Sequence, residues 1–241
     1  MLAVKNVQAR YGHVQALAGV SLEVQERNAV TLIGSNGAGK STLLKVISGL
    51  LKPTAGQVEL NGERIDTLPP DRIIARGIAH CPEGRRVFPQ LTVRENLEMG
   101  AYLVRSKKVV DNRIEKLFTS FPILRERQGQ SSGTLSGGEQ QQLAIARALM
   151  SEPKMVLFDE PSLGLAPILV EQVAQIVLEL KRQEITILLV EQNANMAMEL
   201  AEYAYVMETG RIILQGPSER LRKDEKVIHA YLGGLDEECA A

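Results

Sequence analysis

Tryptophan is absent from the 241-residue chain, and aromatic residues make up only 4% of it. Such a sequence has no interfacial aromatic belt to offer a bilayer. Long apolar runs are missing too. No stretch free of charged residues is longer than 28–39, about a dozen residues against the roughly 18 to 20 that a spanning helix needs. An excess of one charge is lacking as well. Lys plus Arg is 28 and Asp plus Glu is 29, a net charge of −1, which argues against a chain whose main task is gripping nucleic-acid phosphates. Cysteine is scarce: Cys81 and Cys239 lie far apart and fit no metal-ligand spacing, so two reduced thiols are expected. Met1-Leu2-Ala3-Val4-Lys5 passes straight into strand-like sequence without the profile of a signal peptide. What is present is 44% hydrophobic and 24% charged residues, enough for a sizeable core. The length suits one domain, or one domain carrying an inserted subdomain. Composition alone implies a soluble cytosolic globule.

Strand signals frame the chain. Val20, Leu22 and Val24 alternate with Ser21, Glu23 and Gln25, the period-two pattern of a half-buried strand. Residues 56–65 read as a hairpin with Asn61-Gly62 at a type I′ turn. The almost wholly apolar runs 29–33, 155–158 and 186–190 fit strands of a parallel sheet covered on both faces. Helical stretches follow them at 40–47, 168–181 and 193–202, and this alternation indicates an α/β fold. The middle, 93–150, shows helical patterns and no buried strand, with breaks at Pro122 and the loop 129–133. It reads as a helical insertion. A strand pair at 204–208 and 211–215 turns at Thr209-Gly210, Gly216-Pro217 stops the sheet, and a short helical tail ends at Leu232.

The sharpest motif is Gly34-Ser35-Asn36-Gly37-Ala38-Gly39-Lys40-Ser41, which matches G-x-x-x-x-G-K-[ST] between a strand and a helix. Glycines let the backbone curl until successive N–H groups point at an anion. The helix N-terminus adds unpaired donors and a partial positive charge. Lys40 can neutralise the β and γ phosphates, the Ser41 hydroxyl can ligate Mg²⁺, and Thr42 falls near the α phosphate. The chain is expected to bind a nucleoside triphosphate. Downstream, Met155-Val156-Leu157-Phe158 ends in Asp159-Glu160. Asp159 then sits at a strand C-terminus facing the ligand crevice, where it can hold Mg²⁺. Glu160 can polarise the water that attacks the γ phosphate.

A second helix start, Leu135-Ser136-Gly137-Gly138-Glu139-Gln140-Gln141, has a double reading. Ser136 and Glu139 fit a capping box, which merely begins a helix. The two glycines add bare N–H groups that a cap does not need and that a phosphate could approach. One triphosphate needs only one phosphate loop, so the second reader suits a nucleotide held by another copy.

Together the phosphate loop, 135–141 and 156–160 resemble the nucleotide-binding subunit of ABC transporters over essentially the whole chain. The resemblance implies a phosphate-loop ATPase core of the α/β class with an N-terminal antiparallel β subdomain and an inserted helical subdomain. Its parts would be 1–92 (core with the antiparallel part and phosphate loop), 93–150 (helical, ending in the signature helix), 151–216 (the rest of the core) and 217–241 (helical tail). It implies ATP and Mg²⁺ as ligands, with a head-to-tail dimer sandwiching two ATPs between phosphate loop and signature. Ser136, Gly137, Gly138 and Glu139 would then read the nucleotide, and Tyr11 would stack on adenine. Two membrane permease subunits, an indirect solute-binding protein and a peripheral place on the cytoplasmic membrane face follow from the same likeness, with no nucleic acid.

Two positions depart from the common family pattern. Counting back without gaps from Leu91-Thr92-Val93-Arg94-Glu95-Asn96-Leu97 puts Glu83 where relatives carry Gln; Gln90 is a rival that lies too close. A carboxylate remains a Mg²⁺ ligand but donates no hydrogen bond when ionised. Gln192 stands where most relatives have His, so it can donate to the γ phosphate without a titratable proton. His13, His80 and His229 are expected to be ordinary surface residues. Both departures, with Pro82-Glu83-Gly84-Arg85-Arg86-Val87-Phe88, Phe158 to Pro167 and Ala230-Tyr231-Leu232-Gly233-Gly234, are similar to the LivF-type ATPases of branched-chain amino acid importers. ATPases of urea, amide and other amino acid importers are alternatives, and a soluble ABC-type ATPase of DNA repair or translation is a remoter one. The segment 83–97 is the expected groove for a permease helix, with Arg85 and Arg86 either solvated or part of it.

Overall fold

The three apolar runs lie side by side in one six-stranded sheet, buried on both faces. The computed structural model describes residues 1–231; Leu232, Gly233, Gly234 and Cys239 lie outside the described residues, as does the His229 side chain. The strands are β1 (Leu2–Tyr11), β2 (Val14–Val24), β3 (Ala29–Ile33), β4 (Ala55–Leu60), β5 (Glu63–Arg64), β6 (Ile78–Cys81), β7 (Met155–Asp159), β8 (Thr186–Glu191), β9 (Tyr203–Glu208) and β10 (Arg211–Pro217). The helices are α1 (Lys40–Ile47), α2 (Pro70–Ala75), α3 (Val93–Gly100), α4 (Lys107–Ser120), α5 (Pro122–Glu126), α6 (Gly137–Leu149), α7 (Pro167–Arg182), α8 (Ala194–Leu200), α9 (Ser218–Leu221) and α10 (Glu225–Tyr231).

The large sheet has the order β10-β9-β3-β8-β7-β6, with β9 through β6 parallel and β10 antiparallel at the edge. The smaller sheet, β2-β1-β4-β5, is antiparallel throughout. Alternate residues of each central strand enter different cores. Ala29 and Ile33, Val156 and Phe158, and Ile187 and Leu189 face the helices α3 to α8. Val30 and Leu32, Met155 and Leu157, and Leu188 and Val190 face the small sheet and α1. Each such side chain larger than alanine contributes roughly 1.5–3 kcal/mol by burial, which explains why the runs are apolar at nearly every position, Thr31 and Thr186 apart, rather than at every second one. In β2, by contrast, Val20, Leu22 and Val24 are buried while Ser21 and Glu23 are exposed.

Asn61 and Gly62 both have positive φ, 53° and 83°, the geometry of a type I′ turn. The strand pair near the C-terminus runs further than expected. β10 continues through Gly216 to Pro217, which pairs with Tyr203, because an edge strand tolerates a proline. Between β6 and β7 the ordered elements are helical, apart from a 3₁₀ turn at Ser132–Thr134 and an isolated bridge from Thr92 to Ser131. Both α3 and α6 open with reciprocal capping boxes, Thr92 with Glu95 and Ser136 with Glu139. Buried Asn96 anchors the approach to α3: it accepts from the Phe88 N–H and donates to the carbonyls of Phe88 and Thr92 and to Ser132 Oγ. No helix of the described residues is long and apolar enough to cross a membrane.

Candidate functional site

β3 delivers the chain to the phosphate loop at the C-terminal edge of the large sheet. The loop can close into α1 because Gly39, its N-cap, adopts φ 109° without a side-chain cap, a conformation that glycine reaches without steric cost. The start of α1 therefore keeps donors and a positive dipole end for an anion. Behind the loop, Gly210 in the β9–β10 turn donates from N–H to the Ala38 carbonyl at 2.8 Å.

Two contacts join this loop to the acidic strand end. Ser41 Oγ donates to Asp159 Oδ1 at 2.8 Å across 118 residues of sequence. Buried Lys40 lies 3.0 Å from Glu160 Oε1, and its Nζ also donates to the carbonyls of Gly34 and Ser35 at 2.8 and 3.1 Å. Burial, first of all, holds the Asp159 carboxyl above its ordinary range; the Ser41 hydrogen bond opposes this, while the charges of Glu83 and Glu160 add to it. Glu160 itself is fixed in a left-handed conformation, φ 48°, with its N–H bonded to the Val190 carbonyl at 2.9 Å.

A cavity of about 300 Å³ opens over these groups. Asn36, Gly37, Gly39, Lys40, Ser41 and Thr42 line it together with Glu83 and Glu160. Ala16 and Leu163 complete the lining; neither carries a sequence signal, since an alanine and a leucine contribute surface rather than chemistry. Ser41 and Glu83 line the cavity and Asp159 accepts from Ser41, so the candidate ligands here are all oxygens. Two mutually repelling carboxylates beside a hydroxyl fit Mg²⁺, which uses one or two carboxylates plus substrate phosphates.

Tyr11, Gln192 and the signature residues Ser136, Gly137, Gly138 and Glu139 do not line this cavity. Tyr11 ends β1 opposite Val14, with its ring half exposed. Gln192 is exposed one residue past β8. At the signature, Ser136 N–H donates to Glu139 Oε2 at 2.7 Å and Glu139 N–H to Ser136 Oγ at 3.3 Å. The Ser136 N–H, and after it the Ser136 side chain, hold the Glu139 carboxyl below its ordinary range. Gly138 is glycine for a packing reason: a Cβ there would lie 2.5 Å from Leu169 Cδ2. Arg85 lies against Gly137, where a Cβ would come within 2.8 Å of its guanidinium.

One expectation needs correction. His80 is not a surface residue: it is in β6, its Nδ1 is 3.2 Å from Ser48 Oγ, and its Nε2 is buried without a partner. Burial, with Lys45 nearby, lowers its pKa to about 4. His13 is exposed as expected. Sequence reasoning also passed over Glu191, buried at the end of β8 and bonded to Ser162, although an acid closing an apolar run is the same signal that singled out Asp159. A larger cavity of about 600 Å³ lies between α4 and α7, away from the phosphate loop. Its charges largely pair among themselves, as in Arg113 with Glu152 at 2.6 Å.

A strand, glycine loop and helix facing an acidic strand end define a phosphate-loop ATPase. The family model described as ABC transporter matches residues 17–163, and the chain belongs to that family of ATP-hydrolysing cassettes. It is 50% identical over 234 residues to the "High-affinity branched-chain amino acid transport ATP-binding protein BraG" of Pseudomonas aeruginosa, covering 97% of this chain and 100% of that protein. It is 31% identical to BraF, similarly described, from the same organism, over 97% and 98% of the two chains. Among solved structures it is similar to the ADP conformation of an ATP-binding cassette of an ABC transporter, with TM-score 0.86, 32% identity and coverage of 97% and 98%. A dimeric post-hydrolysis cassette bound to ADP and Pi matches with TM-score 0.81, 28% identity and coverage of 90% and 99%.

Proposed function

We propose that this chain is the ATP-binding and ATP-hydrolysing subunit of an importer for branched-chain amino acids. Identity of 50% across the full length of a branched-chain amino acid transport ATP-binding protein supports the substrate class. The observation that carries the site reading is the junction of sequence-distant groups, Ser41 on Asp159 and Lys40 on Glu160.

In this reading ATP phosphates enter along 36–42 and draw the Lys40 ammonium away from Glu160. Glu160, released from the ion pair, accepts the proton of the water that attacks the γ phosphate. Ser41, Asp159 and Glu83 would hold Mg²⁺, which would supply positive charge to neutralise the phosphates. Glu83 is assigned to the metal, for which a carboxylate is an oxygen ligand. Gln192 donates its amide N–H to the γ phosphate, and Tyr11 offers its ring to adenine. Ser136, Gly137, Gly138 and Glu139 read the nucleotide of a second cassette, this chain or a related one. The paired BraG and BraF names in one organism support a related chain. Two permease subunits dock over 83–97 at the cytoplasmic face of the membrane, and a solute-binding protein acts through them. ATP that bridges the closed pair better than the open one drives closure, since a ligand shifts an equilibrium only by its differential affinity.

The test is reconstitution with the permeases and binding protein. Branched-chain amino acids should stimulate ATP hydrolysis, and Glu160→Gln should bind ATP while losing roughly 10²-fold or more in turnover. Near-normal turnover in that variant overturns the Glu160 assignment. Stimulation by urea or an amide instead replaces the substrate class, and co-purification with ribosomes or DNA replaces transport.

A further inference from the structure

Glu191 is almost fully buried, 1% exposed, at the end of β8 and in register with Ile33 of β3. Its two oxygens serve different donors: Oε1 accepts from the Ser162 N–H at 3.0 Å, and Oε2 from the Ser162 hydroxyl at 2.9 Å. Ser162 lies two residues beyond Glu160, and Gln192 lies between Glu191 and Asn193. One side chain therefore ties the loop after Glu160 to the turn that carries Gln192. The Val190 carbonyl, which accepts from the Glu160 N–H, makes a second tie one residue away.

We propose that Glu191 is a positioning residue for ATP hydrolysis, clamping the loop that carries Glu160 to the turn that carries Gln192. The proposal rests on the roles assigned to those two residues above. Its chemistry is a donor count. Two donors of Ser162 meet the two oxygens of one buried group, and an ionised carboxylate, which accepts on both atoms, makes that pair of bonds most strongly. A glutamine has nearly the same shape but accepts through one oxygen only, so it keeps the Ser162 N–H bond and must reverse the hydroxyl bond without charge assistance, weakening one arm of the clamp. Burying a carboxylate beside Glu160 is costly unless its lone pairs are satisfied, and burial and that neighbour both raise the Glu191 carboxyl. The clamp keeps the left-handed Glu160 and Gln192 at a fixed separation while Lys40 exchanges partners.

The experiment compares ATP hydrolysis and ATP binding by the purified full chain with those of Glu191→Gln, Ser162→Ala and the double variant, alongside Glu160→Gln. Because displacement of about 1 Å can cost on the order of a hundredfold in rate, kcat in Glu191→Gln should fall about tenfold or more. KM for ATP should stay within about threefold and the melting temperature should be preserved. Ser162→Ala should show the same split, and the double variant should be no worse than Glu191→Gln, since both remove one clamp. A smaller fall, a parallel rise in KM, a rate loss that tracks lost thermal stability, or additive single effects each overturn the proposal. If Glu191→Gln fails to fold, the KM and kcat of Ser162→Ala decide. Near-normal turnover in Glu160→Gln strikes the underlying assignment instead, whatever Glu191 does.

Discussion

Arg147, in the last turn of α6, donates from Nη2 to the backbone carbonyl of Arg86 at 2.6 Å. The same guanidinium reaches Asn96 Oδ1 at 3.4 Å and lies over the Phe88 ring, 4.9 Å from its centroid. The helix that begins at the signature thus grips, at its other end, the segment following Glu83. That segment needs holding, because Gly84, Arg85 and Arg86 all have positive φ, a conformation that is costly for the two arginines.

Replacing Arg147 by lysine should therefore loosen the segment although the charge is kept. A single ammonium cannot reproduce a planar group that donates in two directions and stacks on a ring. The expected loss is about 1–3 kcal/mol, read as a lower denaturation midpoint in urea, and the apparent Mg²⁺ dependence of hydrolysis should weaken with it. Unchanged values in both measurements would reject the grip.

Asp159→Asn should raise stability while removing activity. Asn keeps an acceptor for Ser41 and removes a buried charge that Glu83 and Glu160 disfavour. The sign follows from proton linkage: with its folded pKa above the unfolded value of 3.8, the native Asp159 binds protons more readily than the unfolded chain, so its penalty grows as pH rises. The variant should melt above the wild type at neutral pH, and the gap should narrow on acidification through the raised pKa. Mg²⁺ with ATP should stabilise the wild type more than the variant. A lower melting temperature for the variant at neutral pH refutes the charge penalty.

His80 makes the opposite contribution. Its folded pKa of about 4 lies below the ordinary 6.5, so below about 6.5 the unfolded chain takes up a proton that the native chain refuses. Stability should fall as pH drops from 6.5 toward 4, by up to ~1.4 kcal/mol per pH unit from this one group. His80→Gln should flatten the stability curve in that window and leave it parallel to wild type above pH 7. Identical slopes would show that the ring is protonated in the fold.

Gly138→Ala drives a methyl into Leu169 and should cost about 1–3 kcal/mol by overpacking. Trimming the neighbour, in the double variant Gly138→Ala, Leu169→Ala, should recover part of that loss. No recovery would mean that the glycine is needed for its backbone rather than for room.

The sequence displayed what is local and hid what is made by distant approach. The phosphate loop, Asp159 and Glu160 were legible because a strand, a glycine-rich turn and a helix start leave their pattern within a few residues. The strands at 29–33, 155–158 and 186–190 were legible because burial on both faces leaves almost no polar position, only Thr31 and Thr186, to blur them. β6 went unnoticed: it has only four residues, and His80 interrupts its apolar run. Glu191 showed its place, an acid closing an apolar run, but not its partner, because Ser162 lies 29 residues away. Ala16 had no signal at all, since a cavity wall needs surface and not a functional group.

The division of the large sheet between two cores has a consequence for damage. Leu32 and Ile33 are sequence neighbours, yet their side chains belong to separate packed systems on opposite faces. Truncating both opens two holes that cannot merge or relax into each other, so the losses should sum rather than compensate. The strand acts as a bulkhead: a flaw on the helical side leaves the packing beneath the phosphate loop sealed.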